Sequence, residues 1–236
     1  MVTFLTEHGK YIAVLFGVLA GYPLVRCRRD RLTGKSPLQA LLLCLIFSVF
    51  SVAAALLFAS FEGLITGKGW SFGAISTYGI YFLCAPALIL LARALKKDPR
   101  NWLDVYALYA MPSLFLLRCN CLLSGCCGGR AIPGTDMHWP TREAELVFYA
   151  VMLLVLLRRE RQGAAPGTGF PLLMAAYGTF RFVEEWFRAG TGNSLVHLAH
   201  GWSILSIAIG LGFYYEWKRK SAETDMQHRE RRKRKC

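Results

Sequence analysis

Residues Leu38–Ser60 read LQALLLCLIFSVFSVAAALLFAS and carry no formally charged side chain. An α-helix rises about 1.5 Å per residue, so a stretch of this length crosses the roughly 30 Å hydrocarbon core of a bilayer. The segment therefore predicts a transmembrane helix. It distinguishes this chain from soluble domains of similar length.

Six further apolar stretches flank this segment. A run of about a dozen apolar residues is equally typical of a buried helix, so the shorter stretches are ambiguous by themselves. Counted together, the stretches predict an all-α, polytopic membrane protein with seven transmembrane helices. The other six are Tyr11–Val25, Ser71–Ala92, Trp102–Leu117, Leu146–Leu157, Phe170–Phe182 and Leu198–Tyr215.

The basic residues between these stretches alternate in a regular way. The connections after the first, third, fifth and seventh stretches hold most of the 28 lysines and arginines. Because basic residues concentrate on the cytoplasmic side of membrane proteins, this pattern predicts an N-terminus outside and a C-terminus in the cytoplasm. We expect a transmembrane domain over residues 1–217 and a basic cytoplasmic tail over residues 218–236.

Composition excludes two other classes of protein. The chain is 54% hydrophobic with a net charge of +13, which is too apolar for an intrinsically disordered chain. A nucleic-acid binder would need the apolar stretches to form a soluble core, and their length argues against that. The excess positive charge therefore indicates membrane orientation, and we expect no nucleic-acid partner.

Ionisable residues in membrane spans cost about 2.5–3.5 kcal/mol each on insertion scales, so they need a functional reason. The sixth stretch ends in Arg181, Glu184, Glu185 and Arg188, whose spacing allows the i, i+4 pairs Arg181–Glu185 and Glu184–Arg188. An interfacial salt-bridge ladder is one interpretation of this segment.

The predicted topology favours a different interpretation. It brings the charged end of the sixth stretch to the same outer depth as Arg118, Glu145 and the segment Ser76–Gly79. Guanidinium groups held in such a site match the oxygens of phosphate. The residues thus predict a membrane-embedded site for an anionic lipid at the outer face.

A second unusual segment runs from Arg118 to Arg130 and is rich in glycine and cysteine. Three interpretations remain open for it. Small residues allow close helix packing, cysteines facing an oxidising compartment form disulfide or redox pairs, and thiolates bind metal ions. No histidine lies nearby at the spacing typical of zinc sites, so we expect no metal. The four cysteines are Cys119, Cys121, Cys126 and Cys127.

Motifs along most of the chain resemble the prolipoprotein diacylglyceryl transferase family of bacterial membrane enzymes. The closest match is Tyr177-Gly178-x-x-Arg181-Phe182-x-x-Glu185-x-x-Arg188. Weaker matches to the family's motifs lie at Ser76–Gly79, Leu117–Leu122, Gly129–Arg130, Trp139–Glu145 and His200–Ser206.

This resemblance implies transfer of a diacylglyceryl group from phosphatidylglycerol to the lipobox cysteine of a prolipoprotein, at the outer leaflet of the bacterial inner membrane. Phosphatidylglycerol, the prolipoprotein signal peptide and membrane lipids would be the partners, and no cofactor is implied. The implied catalytic residues are Arg118, Arg181, Tyr78 and Tyr177. The implied substrate-binding residues are Arg188, Glu185, Glu145, Cys126, Gly125 and Arg130.

The sequence departs from the family at positions that bear on thiol activation. Tyr78 stands where the family usually has histidine, and tyrosine, with a pKa of about 10, is a poorer base at neutral pH. Cys126 stands where the family has a carboxylate, and Trp139 and Trp202 replace a histidine and a glutamine. Two alternatives therefore stay open: a non-catalytic phospholipid-binding or transport protein, and a membrane thiol oxidoreductase that uses the Cys119–Cys127 segment.

Overall fold

The computed structural model describes residues 2–28, 32, 36–67, 69–70, 74–126, 128–189 and 197–233. In this part of the chain, seven α-helices each overlap one of the seven apolar stretches, and the third of them covers only the last part of Ser71–Ala92. They are α1 (Val2–Arg26), α2 (Pro37–Ile65), α3 (Ala85–Ala94), α4 (Pro99–Ser124), α5 (Thr141–Arg161), α6 (Gly169–Glu184) and α7 (Leu198–Lys233).

Two irregular helical turns adjoin these helices. A π-helical turn over Ile80–Cys84 leads directly into α3, and a 3₁₀ turn over Glu185–Phe187 follows α6. The pairings Gly129↔Arg188 and Ala131↔His138 are isolated β-bridges, and the described residues form no strand. The predicted all-α fold class is confirmed.

Three helices are long and apolar enough to cross a membrane, judged by length and composition: α2, α4 and the Leu198–Glu223 part of α7. Val14–Arg26 and Ile80–Ala94 are shorter apolar helices. By contrast, α6 has 16 residues and is about 24 Å long, and α5 carries charges near both ends. The seven-span topology and the orientation of the termini therefore stay predictions.

Large apolar side chains cover much of the outer surface of the bundle. On α5, Val147, Val151 and Leu154 are 50–66% exposed and recur at helical spacing. On α2 and α3, Val49 and Leu90 are each 65% exposed. Soluble monomers rarely expose apolar surface on this scale, whereas lipid-facing helices do so routinely.

The core is built where α4 passes between α1, α2 and α6. Trp102, Tyr106 and Met111 of α4 are completely buried, as is Phe47 of α2. Phe47 meets the Tyr106 ring nearly edge-on, with 5.3 Å between ring centroids. Ser51 Oγ lies 2.6 Å from the Tyr106 hydroxyl, so the buried polar atom has a partner. This packing fixes the rotation of α4 and with it the direction of Arg118.

The start of α6 is held by a carboxylate from α4. Asp104 accepts hydrogen bonds from the backbone N–H groups of Gly167, Gly169 and Phe170, at 2.6, 2.8 and 3.2 Å. The first N–H groups of a helix have no partner within the helix, and Asp104 satisfies them from a neighbouring element. This cap sets the position of α6 along α4.

Replacing Asp104 with alanine should therefore destabilise the fold. Hydrogen bonds to a charged group contribute about 1.5–3 kcal/mol each, so we expect the unfolding midpoint in detergent to fall by several degrees. Thermal unfolding followed by circular dichroism measures this shift. Asp136→Ala, in an exposed loop, is the matched control. Equal midpoints for the two variants would show that the cap adds no stability.

Candidate active site

Glu145 is the centre of a buried ion-pair cluster. It lies in the second turn of α5, and its side chain is 1% exposed. One oxygen pairs with Nε of Arg118 on α4. The other lies 3.1 Å from Nη1 of Arg181 on α6 and 3.3 Å from Nη1 of Arg188. A single carboxylate thus gathers three arginines from separate parts of the chain.

Arg181, like Glu145, makes three ion pairs in this cluster. Besides Glu145, its Nη1 contacts Glu184 Oε2 at 2.6 Å and its Nη2 contacts Glu185 Oε2 at 2.9 Å. The Arg181 side chain is 12% exposed, and those of the two glutamates are 3% and 6% exposed. Three arginines therefore face three carboxylates, and the cluster as a whole is close to neutral.

Four buried polar atoms of this cluster make no hydrogen bond among the described residues. Oε2 of Glu145 and Oε2 of Glu185 lie in the ion pairs with Arg118 and Arg181, and the other two atoms are in no ion pair. They are Nε of Arg181, a donor, and Oε1 of Glu184, an acceptor, and both are inaccessible to solvent. A buried polar atom without a partner is costly, by about 1–3 kcal/mol. Each such atom in a folded protein needs an explanation, and a catalytic role is one of them. The cluster accordingly offers one donor and one acceptor to a bound molecule.

A short irregular hairpin, residues 129–139, is hydrogen-bonded to the backbone at Arg188. Its backbone joins the 3₁₀ turn: Arg130 N donates to Phe187 O at 2.8 Å, and Arg130 Nε donates to Arg188 O at 3.0 Å. The hairpin closes on itself, since Trp139 N donates to Arg130 O at 2.9 Å. The Trp139 ring packs on Phe187 with 4.7 Å between centroids. Arg130 thus fixes the backbone that presents Arg188.

Glycines permit this close approach. A Cβ atom on Gly129 would lie 2.1 Å from the carbonyl oxygen of Trp139, so a larger residue would push the hairpin apart. Gly125 ends α4 at φ 70°, a left-handed conformation that glycine adopts without strain. Gly125 thus allows α4 to end and the chain to turn, and Gly129 allows the two sides of the hairpin to approach closely.

Tyr177 and Tyr78 lie next to the cluster and differ in their contacts. Tyr177 is 1% exposed and is adjacent to Thr77, Arg181 and Glu145. The Tyr78 ring meets the Tyr177 ring at 5.7 Å, but the Tyr78 hydroxyl lies 2.6 Å from Ser203 Oγ of α7. Tyr177 therefore faces the charged groups, and the Tyr78 hydroxyl is engaged with α7.

These contacts predict a modest effect for Tyr78→Phe. The substitution keeps the ring and removes only the hydrogen bonds of the hydroxyl to Ser203 Oγ and Ala199 O of α7, so we expect transfer activity to fall less than tenfold. Initial rates measured on the purified variant test this. A loss of a hundredfold or more would instead support the direct contact with the donor that the sequence predicted. Tyr177→Phe, at the ring beside Arg181, is the variant to compare.

The cysteines after Arg118 lie at the edge of the site. Cys126 is exposed, and its sulfur lies 3.8 Å from the carbonyl oxygen of Cys121 and 3.4 Å from Ser124 Oγ. Cys119 and Cys126 carry free thiols, whereas Cys127 lies outside the described residues. The described part of the chain contains no group of three or more residues able to hold a metal ion.

With this geometry established, comparison with known proteins identifies the family. The family model described as prolipoprotein diacylglyceryl transferase matches residues 10–216. The chain belongs to the prolipoprotein diacylglyceryl transferase family. The resemblance predicted from the motifs is thereby confirmed, and the match runs from within α1 to the middle of α7. A comparison with curated proteins finds no significant match.

Membership in this family implies a transferase of the diacylglyceryl type that acts on lipid and prolipoprotein substrates at a membrane. The bundle that carries Arg118, Arg181 and Arg188 is the part of the chain that the family model covers. The apolar helices of the structure agree with a membrane location.

Two acidic residues, Glu184 and Glu62, were not among the catalytic or substrate-binding residues expected from the sequence, in which i, i+4 spacing indicated Glu184 only as an ion-pair partner of Arg188. Glu184 contacts Arg181 directly, and its position one residue before Glu185 was the available signal. Glu62, near the end of α2, lies beside Ser76 and Trp202 and within electrostatic reach of Arg181 and Glu185. No motif indicated Glu62, because its role depends on how α2 packs against α7.

Proposed function

We propose that this protein transfers the diacylglyceryl group of phosphatidylglycerol to the thiol of a lipobox cysteine in a prolipoprotein. The observation that carries this proposal is the gathering of Arg118, Arg181 and Arg188 on Glu145, in a chain of the transferase family. Guanidinium groups in a low-dielectric site suit the phosphate of a lipid donor.

The proposed reaction exchanges one bond for another. The cysteine sulfur attacks the glycerol carbon that bears the phosphate, a carbon–sulfur bond forms, and the carbon–oxygen bond to phosphate breaks. The products are a thioether and glycerol phosphate, and the thiol proton passes to a base. No oxidant or further co-reactant enters this balance.

Arginine is the side chain that the leaving group needs. Negative charge grows on the phosphate as the carbon–oxygen bond breaks, and donors already in place stabilise that charge without reorganising. The Nε atom of Arg181 is a buried donor with no partner among the described residues, so it suits a phosphate oxygen. Arg118 and Arg188 would complete the phosphate site from α4 and from the 3₁₀ turn.

The carboxylates have two roles in this proposal. Glu145 and Glu185 hold the guanidinium groups in position through the ion pairs described above. Glu184, buried beside Arg181 and Glu145, is the carboxylate that we assign to take the proton from the attacking thiol. The thiolate is the reactive form of cysteine, and Glu184 supplies a carboxylate that the segment Ser124–Cys126 lacks.

An apolar cavity offers a place for the donor's acyl chains. Its volume is about 190 Å³, and it lies between α1, α2 and α4. Thr77 and Leu117 are part of its lining, and these residues precede Tyr78 and Arg118 in the chain. A lipid whose phosphate rested on the arginines could place part of a chain there.

An assay with purified protein in lipid nanodiscs tests the proposal. The nanodiscs would contain phosphatidylglycerol or phosphatidylcholine, and the acceptor would be a lipobox peptide with cysteine or with serine. We expect the peptide to gain the mass of a diacylglyceryl group only with phosphatidylglycerol and cysteine together. An unmodified peptide in every combination would contradict the proposal, and a peptide disulfide would favour thiol oxidation.

A further inference from the structure

A second cationic pocket lies between the C-terminal end of α5 and the middle of α7. Its volume is about 270 Å³, and its lining includes Arg159, Gln162, Thr168, Tyr214 and Lys218. Two cations and two hydroxyl groups thus line the pocket, and no carboxylate is part of its lining. An anion is the ligand that such a set of side chains favours.

This pocket is separate from the ion-pair cluster around Glu145. Arg159 lies 14 residues beyond Glu145 on α5, which corresponds to about 21 Å along the helix. Lys218 lies 15 residues beyond Ser203 on α7, which corresponds to about 22 Å. The two sites are therefore most of a hydrocarbon thickness apart.

Arg159 is held in place but keeps an unused donor. Its Nη2 atom donates to the Tyr214 hydroxyl at 3.2 Å, and its guanidinium carbon lies 5.6 Å from the centroid of the Tyr214 ring. The Nε atom is buried and has no hydrogen-bond partner among the described residues. The neighbouring carboxylate of Glu160 pairs with Arg28 at 2.8 Å.

The pocket lies where the apolar surface of α7 ends. Leu211, Phe213 and Tyr215 are 43–65% exposed, and the exposed residues from Lys218 onward are mainly charged. Such a change from apolar to basic surface is typical of the headgroup level of a membrane, where anionic lipids attract lysine and arginine. A lipid phosphate at this level would sit against both cations.

We propose that the pocket formed by Arg159, Tyr214 and Lys218 binds the phosphate of an anionic phospholipid in the leaflet opposite the active site. The bound lipid would join the end of α5, the start of α6 and the middle of α7. The proposal does not depend on the transfer reaction, because none of these residues belongs to the ion-pair cluster. It identifies a structural lipid site.

Lipid retention measured by native mass spectrometry tests this inference. Full-length protein in neutral detergent would be titrated with phosphatidylglycerol, phosphatidylcholine or glycerol phosphate, and thermal unfolding would be followed in parallel. The variants are Arg159→Gln and Lys218→Gln, singly and together. Arg158→Gln is the matched control, since Arg158 is the preceding residue of α5, is exposed and is not part of the pocket lining.

We expect the double variant to bind phosphatidylglycerol at least tenfold more weakly than Arg158→Gln, with a smaller rise in unfolding midpoint on adding lipid. Binding at the active site contributes equally to both proteins and does not affect the comparison. Arg159→Lys should restore part of the affinity. Equal affinities for the double variant and the control would overturn the site, and equal protection by glycerol phosphate would overturn its assignment to a lipid.

Discussion

Replacing Arg181 with alanine should reduce diacylglyceryl transfer by at least a thousandfold. Arg181 contacts Glu145, Glu184 and Glu185 and carries the unpartnered buried Nε donor that we assign to the leaving phosphate. Removing one preorganised donor from a transition state costs about 10²–10³ in kcat, and this variant also leaves three carboxylates without their shared cation. The rate of peptide modification in nanodiscs measures the effect.

Two further variants separate lost chemistry from lost folding in that experiment. Arg181→Lys keeps a positive charge but cannot reach three carboxylates as a planar fork does, so we expect an intermediate loss of ten- to a hundredfold. Arg158→Ala, at an exposed position on α5, should leave the rate within twofold. An Arg181→Ala protein that kept more than a tenth of wild-type activity would contradict the proposed role.

Glu145→Gln should weaken both the fold and the reaction. Glutamine has nearly the same shape as glutamate but cannot balance the charges of Arg118, Arg181 and Arg188. Breaking a buried ion pair from one side costs about 3–5 kcal/mol, so the unfolding midpoint should fall by roughly 6–20 °C. We expect kcat to fall at least a hundredfold, because the guanidinium groups lose their common anchor.

In the Glu145→Gln variant, the KM for the lipid donor should stay unchanged or fall, although kcat falls. Loss of the carboxylate makes the cluster more positive, so the affinity for an anionic phosphate should be unchanged or higher while kcat falls. Glu143→Gln is the matched control, since Glu143 lies two residues earlier on α5 and is exposed. Equal unfolding midpoints and rates for the two variants would show that Glu145 does not organise the site.

Helix positions and the main charged residues were predictable from the sequence. Each apolar stretch overlaps a helix, because hydrophobic length is a local property of the chain, although the helix in Ser71–Ala92 covers only its last part. The pair Arg181–Glu185 forms at 2.9 Å, as i, i+4 spacing on a helix predicts. These features need no knowledge of how the helices pack.

Contacts that depend on packing were not predictable in the same way. The i, i+4 rule also suggested Glu184–Arg188, whereas the structure places Glu184 on Arg181 and Arg188 on Glu145. The reason is that α6 ends at Glu184 and a 3₁₀ turn follows, which changes the direction of Arg188. The link from Glu145 to three arginines likewise depends on the rotation of α5, and periodicity does not fix that rotation.

The contacts of the hairpin beside the site were also not predictable from the sequence. Its bonds join Arg130 to Phe187 and Arg188, which are almost sixty residues away in the chain. The sequence indicated only that the segment after Arg118 was rich in glycine and cysteine. The backbone hydrogen bonds of the structure show that this segment holds the 3₁₀ turn in place.

The most direct test of the proposed reaction uses phosphatidylglycerol with two labels, one in the diacylglycerol part and one in the headgroup glycerol. After reaction with a lipobox peptide, mass spectrometry would locate both labels. The proposed mechanism predicts that the diacylglycerol label joins the peptide through a thioether and that the headgroup label is released as glycerol phosphate. Retention of both labels in the lipid, or transfer of the headgroup label to the peptide, would contradict it.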